Sequence, residues 1–321
     1  MKKVFFVILA IFFAIKAKAQ ESQTAYNFLR LPVSAHAAAL GGDNITIVED
    51  DPTLIFHNPA LITSVTDKSI NLNYMTYMEG TKTASASFVR AYKEKGTWGV
   101  MAQYMDYGSI KEMTPDNIHT GDFSAKDIMV GGSFASLLGK NIAGGVSAKI
   151  ITSNIAGYSS MAVAVDLGLN YYLPEKGLSI SAVAKNLGGQ IKAYEDDFEK
   201  IPVDVQLGVS KKLGNAPLSF SASLSGLNDW DGGLKNHLAI GAEILLSSNM
   251  YIAGGYNFRR SNEMSIAEDE GESSHGAGLS LGGGLQLQRL KINVAYAKYH
   301  VSTSSLLFNV TYCLLGMRDE G

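Results

Sequence analysis

Apolar and polar residues alternate with a period of two along most of this chain, in segments of about ten residues from Ile70 onward, as in strands that show one face to lipid and the other to a polar interior. Leu218, Phe220, Ala222 and Leu224 interleave with Ser219, Ser221, Ser223 and Ser225, so a strand through them has one apolar face and one face of hydroxyls. Val203, Val205, Leu207 and Val209 oppose Asp204, Gln206 and Ser210 in the same way. A soluble sandwich also alternates, so one strand leaves both readings open. Strands are predicted near 70–79, 81–92, 97–107, 126–138, 141–152, 158–173, 177–187, 202–213, 217–227, 237–246, 249–258, 278–288, 290–299 and 304–312. That makes fourteen, and bacterial membrane barrels take an even number.

The connections sort by parity. The even ones are tight: 93–96, 139–140, 174–176, 214–216, 247–248 and Arg289. The odd ones include long polar stretches at 108–125, 188–201, 228–236 and 259–277. Short turns on one side and long loops on the other are the periplasmic and extracellular ends of an outer-membrane barrel, whereas a soluble sandwich has no reason to sort its loops. Tyrosines near predicted strand ends, among them Tyr104, Tyr107, Tyr171, Tyr172, Tyr251, Tyr256, Tyr296, Tyr299 and Tyr312, suit interfacial girdles, although tyrosine also simply favours strands. The fold expected is all-β, a fourteen-stranded antiparallel transmembrane barrel over 69–313, with a short tail at 314–321.

The amino terminus fixes the compartment. Lys2 and Lys3 precede an apolar run from Val4 to Ile15, and Ala17-Lys18-Ala19 supplies small residues for cleavage, so 1–19 is expected to be a signal peptide. The only cysteine, Cys313, is far from that point, which excludes a lipoprotein and any disulfide within one chain. Later segments never reach the roughly 18 apolar residues of a membrane helix. Composition agrees with many strands and turns: 33 Gly, 7 Pro and 18% charged residues. A net charge of −3 without a basic stripe argues against nucleic acid as a partner.

Residues 20–68 lack the alternation but carry Leu29, Leu31, Val33, Leu54, Ile55, Phe56, Leu61 and Ile62, which need burial. The nearest cavity is the barrel lumen, so this segment is expected to be a hatch, or plug, with a short helix at 34–40. Its structural motif residues are expected to be Gly41, Gly42, Asp50, Asp51, Asn58, Pro59 and Ala60. Asn58 precedes a proline and can bond to nearby backbone, giving a defined turn, and Asp50 and Asp51 can cap a turn or pair with lumen cations.

The run Ala38-Ala39-Leu40-Gly41-Gly42, then Glu49-Asp50-Asp51, then Asn58-Pro59-Ala60 resembles the hatch of FadL-like outer-membrane barrels. Within that group, Leu54 to Leu61 together with Ile70-Asn71-Leu72-Asn73-Tyr74-Met75 is most similar to the PorQ family of the type IX secretion system. That resemblance implies a fourteen-stranded barrel without enzymatic activity that holds a soluble cell-surface partner, PorZ-like, in the secretion apparatus. One departure stands out: such barrels commonly end on an aromatic insertion signal, whereas nine residues follow Tyr312 here. The rival from another class is a FadL-like transporter of hydrophobic small molecules, which would need an apolar channel and a lateral opening, while the serines of 218–227 offer the lumen hydroxyls.

Candidate chemistry is sparse, and no catalytic residue, cofactor or metal site is expected. The six histidines show no ligand spacing: His36 and His57 fall in the hatch, and His119, His237, His275 and His300 in or beside outward connections. Gly278-Leu279-Ser280-Leu281-Gly282 matches Gly-x-Ser-x-Gly but opens an alternating strand, whereas a nucleophile needs a strand-to-helix elbow. Gly282-Gly283-Gly284 lacks the Lys-Ser/Thr of a phosphate loop. What remains is the outward loops, where Asp196, Asp197, Phe198, Trp230, Glu268 and Asp269 are the candidate partner-binding residues. Trp230 also suits an interfacial girdle, and the acidic residues suit plain solvation or a divalent cation shared with lipopolysaccharide.

Overall fold

The structure, a computed structural model, describes residues 24–77, 80–92, 96–114, 116, 118–230, 233–264, 266–268, 271–273, 276–300 and 303–314. The expected signal peptide, and the expected tail apart from Leu314, lie outside the described residues. Fourteen antiparallel strands close into one barrel. They are β1 (Ser69–Thr76), β2 (Lys82–Tyr92), β3 (Gly96–Met113), β4 (His119–Gly139), β5 (Ile142–Ile155), β6 (Tyr158–Leu173), β7 (Leu178–Lys192), β8 (Asp204–Lys212), β9 (Leu218–Leu224), β10 (Leu238–Ser247), β11 (Met250–Asn257), β14 (Leu279–Gln286), β15 (Leu290–Ala297) and β16 (Ser305–Cys313). Between β11 and β14 a two-stranded hairpin, β12 (Ile266–Glu268) and β13 (Gly271–Ser273), stands apart. Closure runs from Ser69 opposite Cys313 to Met75 opposite Leu307, so the barrel presents no free edge to lipid.

Alternation becomes two faces. In β16 Leu306, Phe308, Val310 and Tyr312 point outward and are exposed, whereas Leu307, Asn309 and Thr311 point inward and are buried. Neighbouring β15 repeats this with Ile292, Val294 and Tyr296 outward and Lys291, Asn293 and Ala295 inward. A surface this apolar is stable only against hydrocarbon, and the chain is an integral outer-membrane barrel. Exposed Tyr74, Tyr158 and Tyr296 lie towards one end, and Tyr92, Trp98, Tyr171 and Tyr312 towards the other. Four tyrosines expected in these girdles turn inward instead: Tyr107 donates to Asp127 (2.7 Å), Tyr172 lines the lumen, Tyr251 is buried, and the Tyr299 ring lies under the Arg260 guanidinium.

One predicted loop is strand. Over 108–125, β3 and β4 continue as a two-stranded ribbon, paired from Ser109 opposite Ser124 to Met113 opposite His119. A bulge around Tyr107 and Gly108 (φ +73°) marks its start. Beyond the membrane both faces of a ribbon meet water, so no alternation marks it in the sequence.

Residues 24–68 form short helices: 3-10 turns at Asn27–Arg30, Pro52–Phe56 and Pro59–Ser64, and α1 at Ala35–Ala39. Asp51 and Asn58 use one device twice. Each accepts a hydrogen bond from a backbone N–H two residues on (Thr53 at 2.9 Å, Ala60 at 3.0 Å) and is followed by a proline at the first helical position. The segment packs against inward faces around the barrel: α1 on β11 and β14–β16, the proline-led turns on β1–β6. Phe28, Ile55, Ile62 and Val65 join Val89, Met101, Met105, Met129 and Ile151 of the wall in one apolar cluster. Leu54, Ile55, Leu61 and Ile62 are fully buried, and each contributes about 1.5–3 kcal/mol to holding the segment in place.

Candidate functional site

Of the motif residues of the N-terminal segment, Gly41, Gly42, Asp51, Asn58, Pro59 and Ala60 sit at its contact with the wall, and Asp50 bonds within the segment. Gly41 and Gly42 have φ of +106° and +100°, which favours glycine, and the Gly41 carbonyl accepts from Asn257 Nδ2 (3.0 Å). Asp50 Oδ1 accepts from the Thr66 N–H (2.7 Å). Asp51 is also held from the wall by Thr311 Oγ1 and Asn293 Nδ2 (both 3.3 Å). Asn58 Nδ2 donates to the Ile45 carbonyl (3.2 Å) and to the Leu169 carbonyl in β6 (3.3 Å). Pro59 and Ala60 rest on Gly145, and Asn58 and Pro59 on Gly168. No room for a Cβ exists at either wall glycine: at Gly168 it would fall on Asn58 Oδ1, at Gly145 on the Pro59–Ala60 peptide.

Below this turn lies a charge-balanced group that the sequence did not announce. Glu49 pairs with Lys291 of β15 and with His36 Nδ1 (3.1 Å), while His36 Nε2 meets Glu243 of β10 at 2.5 Å. The His36 ring stacks on Tyr251 with centroids 4.2 Å apart. Two carboxylates and two cations thus neutralise each other out of water. Burial alone would push the imidazole down, but Glu49 and Glu243 outweigh it and hold His36 up at about 10. For Glu49 burial acts upward, yet Lys291 and His36 prevail and hold the carboxyl below the usual carboxylate range. Asp51 goes the other way, pushed up by burial and by Glu49. Burial and the nearby Lys185 cation push His57 down to about 3, so it is neutral at pH 7. Lys291 and Glu243 occupy inward positions of β15 and β10, and alternation can name such a face but not a partner.

Two cavities flank the segment inside the barrel. One of about 290 Å³ opens among the long connections and is lined by Arg30, Asp43, Lys185, Asp204, Gln206 and Tyr299. The other, about 430 Å³, lies among the short turns, with Ser179, Ser210, Ser219 and Ser221 on its wall. A third recess, about 460 Å³, is cut into the outer wall by Val130, Gly131, Val163, Val165, Leu187 and Gly188, beside the register shift between Val165 and Leu167.

The long connections join one another. Asn228 Oδ1 accepts from the Val205 N–H (3.0 Å) and its Nδ2 donates to the Val203 carbonyl (3.2 Å), tying 225–237 to 193–203. Asn262 of α2 (Phe258–Glu263) donates to Asn236 Oδ1 (2.6 Å), tying in the third. Asp196, Asp197 and Phe198 are exposed on this surface, Phe198 at 66%. Trp230, 55% exposed, stacks on His237 with centroids 4.4 Å apart and planes 10° from parallel. Glu268 belongs to β12, and Asp269 and His275 lie outside the described residues. Ser280 of the Gly-x-Ser-x-Gly match is buried in β14 and bonded by Arg260 Nη2 (2.7 Å), with no elbow to expose it. Among the described residues no three His, Cys, Asp or Glu side chains converge as a metal site. Cys313 is buried, its Sγ 3.9 Å from the Asp67 carbonyl.

No protein-family model and no curated protein matches this chain. Solved structures do. The Ralstonia pickettii toluene transporter TbuX superposes with a TM-score of 0.57 at 14% identity, over 88% of this chain and 98% of that one. The Pseudomonas putida toluene transporter TodX gives 0.56 at 12%, over 88% and 97%, and a Pseudomonas aeruginosa FadL homologue 0.53 at 11%, over 88% and 99%. The fold is therefore that of the FadL-like outer-membrane barrels.

Proposed function

We propose that this chain is a non-enzymatic outer-membrane barrel whose N-terminal segment plugs the lumen and whose outward loops hold a soluble protein at the cell surface. The observation that carries the reading is the tying of 193–203, 225–237 and 258–278 into one surface by Asn228 and Asn262, with Phe198 and Trp230 exposed upon it. Exposed aromatics on a pinned frame are the usual anchors of protein interfaces. The sequence resemblance to the PorQ family supports the same reading and makes the partner PorZ-like, within the type IX secretion apparatus. Asp196 and Asp197, with Glu268 and Asp269, would meet a basic patch on that partner or a cation shared with lipopolysaccharide.

A second reading, uptake of hydrophobic small molecules, is the one the solved structures favour: two of the neighbours are toluene transporters. The apolar recess beside the β6–β7 register shift supports it, because Lys149 borders both that recess and the outer lumen cavity, so the wall between them is one residue thick. Against it stand the charged side chains Arg30, Asp43, Lys185 and Asp204, which line the outer lumen cavity. Shortening the three loops one at a time, in barrels that still fold, separates the readings. Docking expects one shortened loop to release a soluble partner into the medium while radiolabelled toluene uptake stays at background throughout. Retention of the partner by all three, with saturable toluene uptake by the intact protein, overturns it in favour of transport.

A further inference from the structure

On the outward face of the wall a polar row crosses four strands at the end of the long connections. Lys126 of β4 stands opposite Asn154 of β5, Asn154 opposite Ser159 of β6, and Lys192 of β7 lies opposite Met161 and donates to Ser159 Oγ. Both lysines are exposed, and three strand spacings, roughly 14 Å, separate their backbones. On the far side of Lys126 the row continues with Asp106 and Lys82, whose charges offset each other. Two residues nearer the membrane centre lies the row of Tyr74, Tyr104 and Ile128, at the level of the aromatic girdle. The lysine row therefore stands at the level of lipid headgroups, where cations meet phosphate.

Further along the same strands, on the same face, the wall is hollowed. Gly132 and Ala148 stand opposite each other, with Val130 and Ile150 on the side of the lysines and Val165 and Leu187 beside them, and all six line the recess of about 460 Å³. A bulge in β7 shapes its edge: Asn186 has a φ of +56°, and the register slips between Val165 and Leu167. The space in front of Gly132 is open, the nearest atom to an added β-carbon being the Gly99 carbonyl oxygen at 3.8 Å. A hollow in a surface bathed by hydrocarbon loses dispersion contacts unless a chain lies in it. Apolar hollow and cation pair together match the tail and the phosphate of one lipid.

We propose that the wall from β4 to β7 holds one molecule of lipopolysaccharide, a phosphorylated and multiply acylated glycolipid, with its phosphates on Lys126 and Lys192 and one acyl chain laid in the recess. The long flexible stems of the two lysines bring both ammonium groups to one headgroup. The long connections place the site in the outer leaflet. The inference rests on the barrel's place in the outer membrane and on neither reading of its function.

The test is native mass spectrometry of the purified full chain with bisphosphorylated lipid A added in detergent. A saturable adduct of a single lipid is expected, with dephosphorylated lipid A bound about tenfold more weakly, as for lost charge-assisted hydrogen bonds. Lys126→Gln combined with Lys192→Gln should weaken the adduct by a similar factor, whereas Lys140→Gln combined with Lys176→Gln, exposed on the short turns, should leave it unchanged. Gly132→Leu fills the recess from the lipid side and should weaken the adduct several-fold, although it touches neither lysine. All these side chains lie on the surface, so every variant should keep the heat-modifiable electrophoretic mobility of the parent. Absence of a saturable adduct, equal binding of the dephosphorylated lipid, equal effects of the two lysine pairs, or undiminished binding by Gly132→Leu overturns the proposal.

Discussion

Asn58 and Gly168 stand so close that the glycine has no room for a β-carbon: one built there would fall on the asparagine's Oδ1, the atom that caps the Pro59–Ser64 turn. One sequence feature, Asn-Pro-Ala, is therefore complementary to another 110 residues away, across the wall of a barrel.

Gly168→Ala should displace that turn. We expect a loss of about 1–3 kcal/mol, the usual effect of overpacking, together with faster proteolysis within 24–68. Gly189→Ala, where nothing lies within 4 Å of the added carbon, is the matched control and should change neither. Equal behaviour of the two variants in thermal unfolding and limited proteolysis would show that the turn does not rest on the wall.

The His36, Glu49, Glu243 and Lys291 group predicts a loosening of the segment in alkali. His36 has a folded-state value raised to about 10, above its ordinary 6.5, so its contribution is complete below pH 6.5 and is lost as pH rises through about 10. Glu49, held low, acts in the opposite sense: its contribution is present above the ordinary carboxylate range and fades only in acid. Proteolysis rates within 24–68 should thus rise between pH 7 and 10 in the parent, and stay flat over that interval in His36→Gln from a higher starting rate. A rise of the same size in both would exclude His36 as the group responsible.

Val294→Arg places a guanidinium on the outward face of β15, midway along the strand, where bilayer hydrocarbon is expected. A loss of about 2–4 kcal/mol in folding into lipid vesicles should follow, as for cations near a membrane midplane. A substitution cost near zero would mean that this face is not in lipid.

The wall was legible because lipid dictates alternation: each of the fourteen strands overlaps its predicted segment, β16 at Ser305–Cys313 against 304–312 among them, and only β3, β4 and β7 run well past their predicted ends. Alternation fails where lipid ends, which is why the ribbon of β3 and β4 read as the loop 108–125. Asn58 and Asp51 of the N-terminal segment were visible as turn chemistry, since Asn-Pro and a capping aspartate are local signals. Their counterparts were not. Gly145 and Gly168 look like any other strand glycines, and Lys291 finds Glu49 at a separation of 242 residues that no periodicity encodes. Likewise Trp230 and Phe198 stood out by residue type, but the Asn228 and Asn262 bonds that join their loops are tertiary.

The central claim, a soluble protein docked on the outward loops, is tested most directly by a photo-crosslinking amino acid in place of Trp230, irradiated on intact cells of the native host. The account predicts a discrete crosslinked species joining this barrel to an exported soluble protein, absent when the same residue replaces Ser219, which faces the cavity among the short turns. Crosslinks from position 230 to lipopolysaccharide alone, or the same species from position 219, would contradict it.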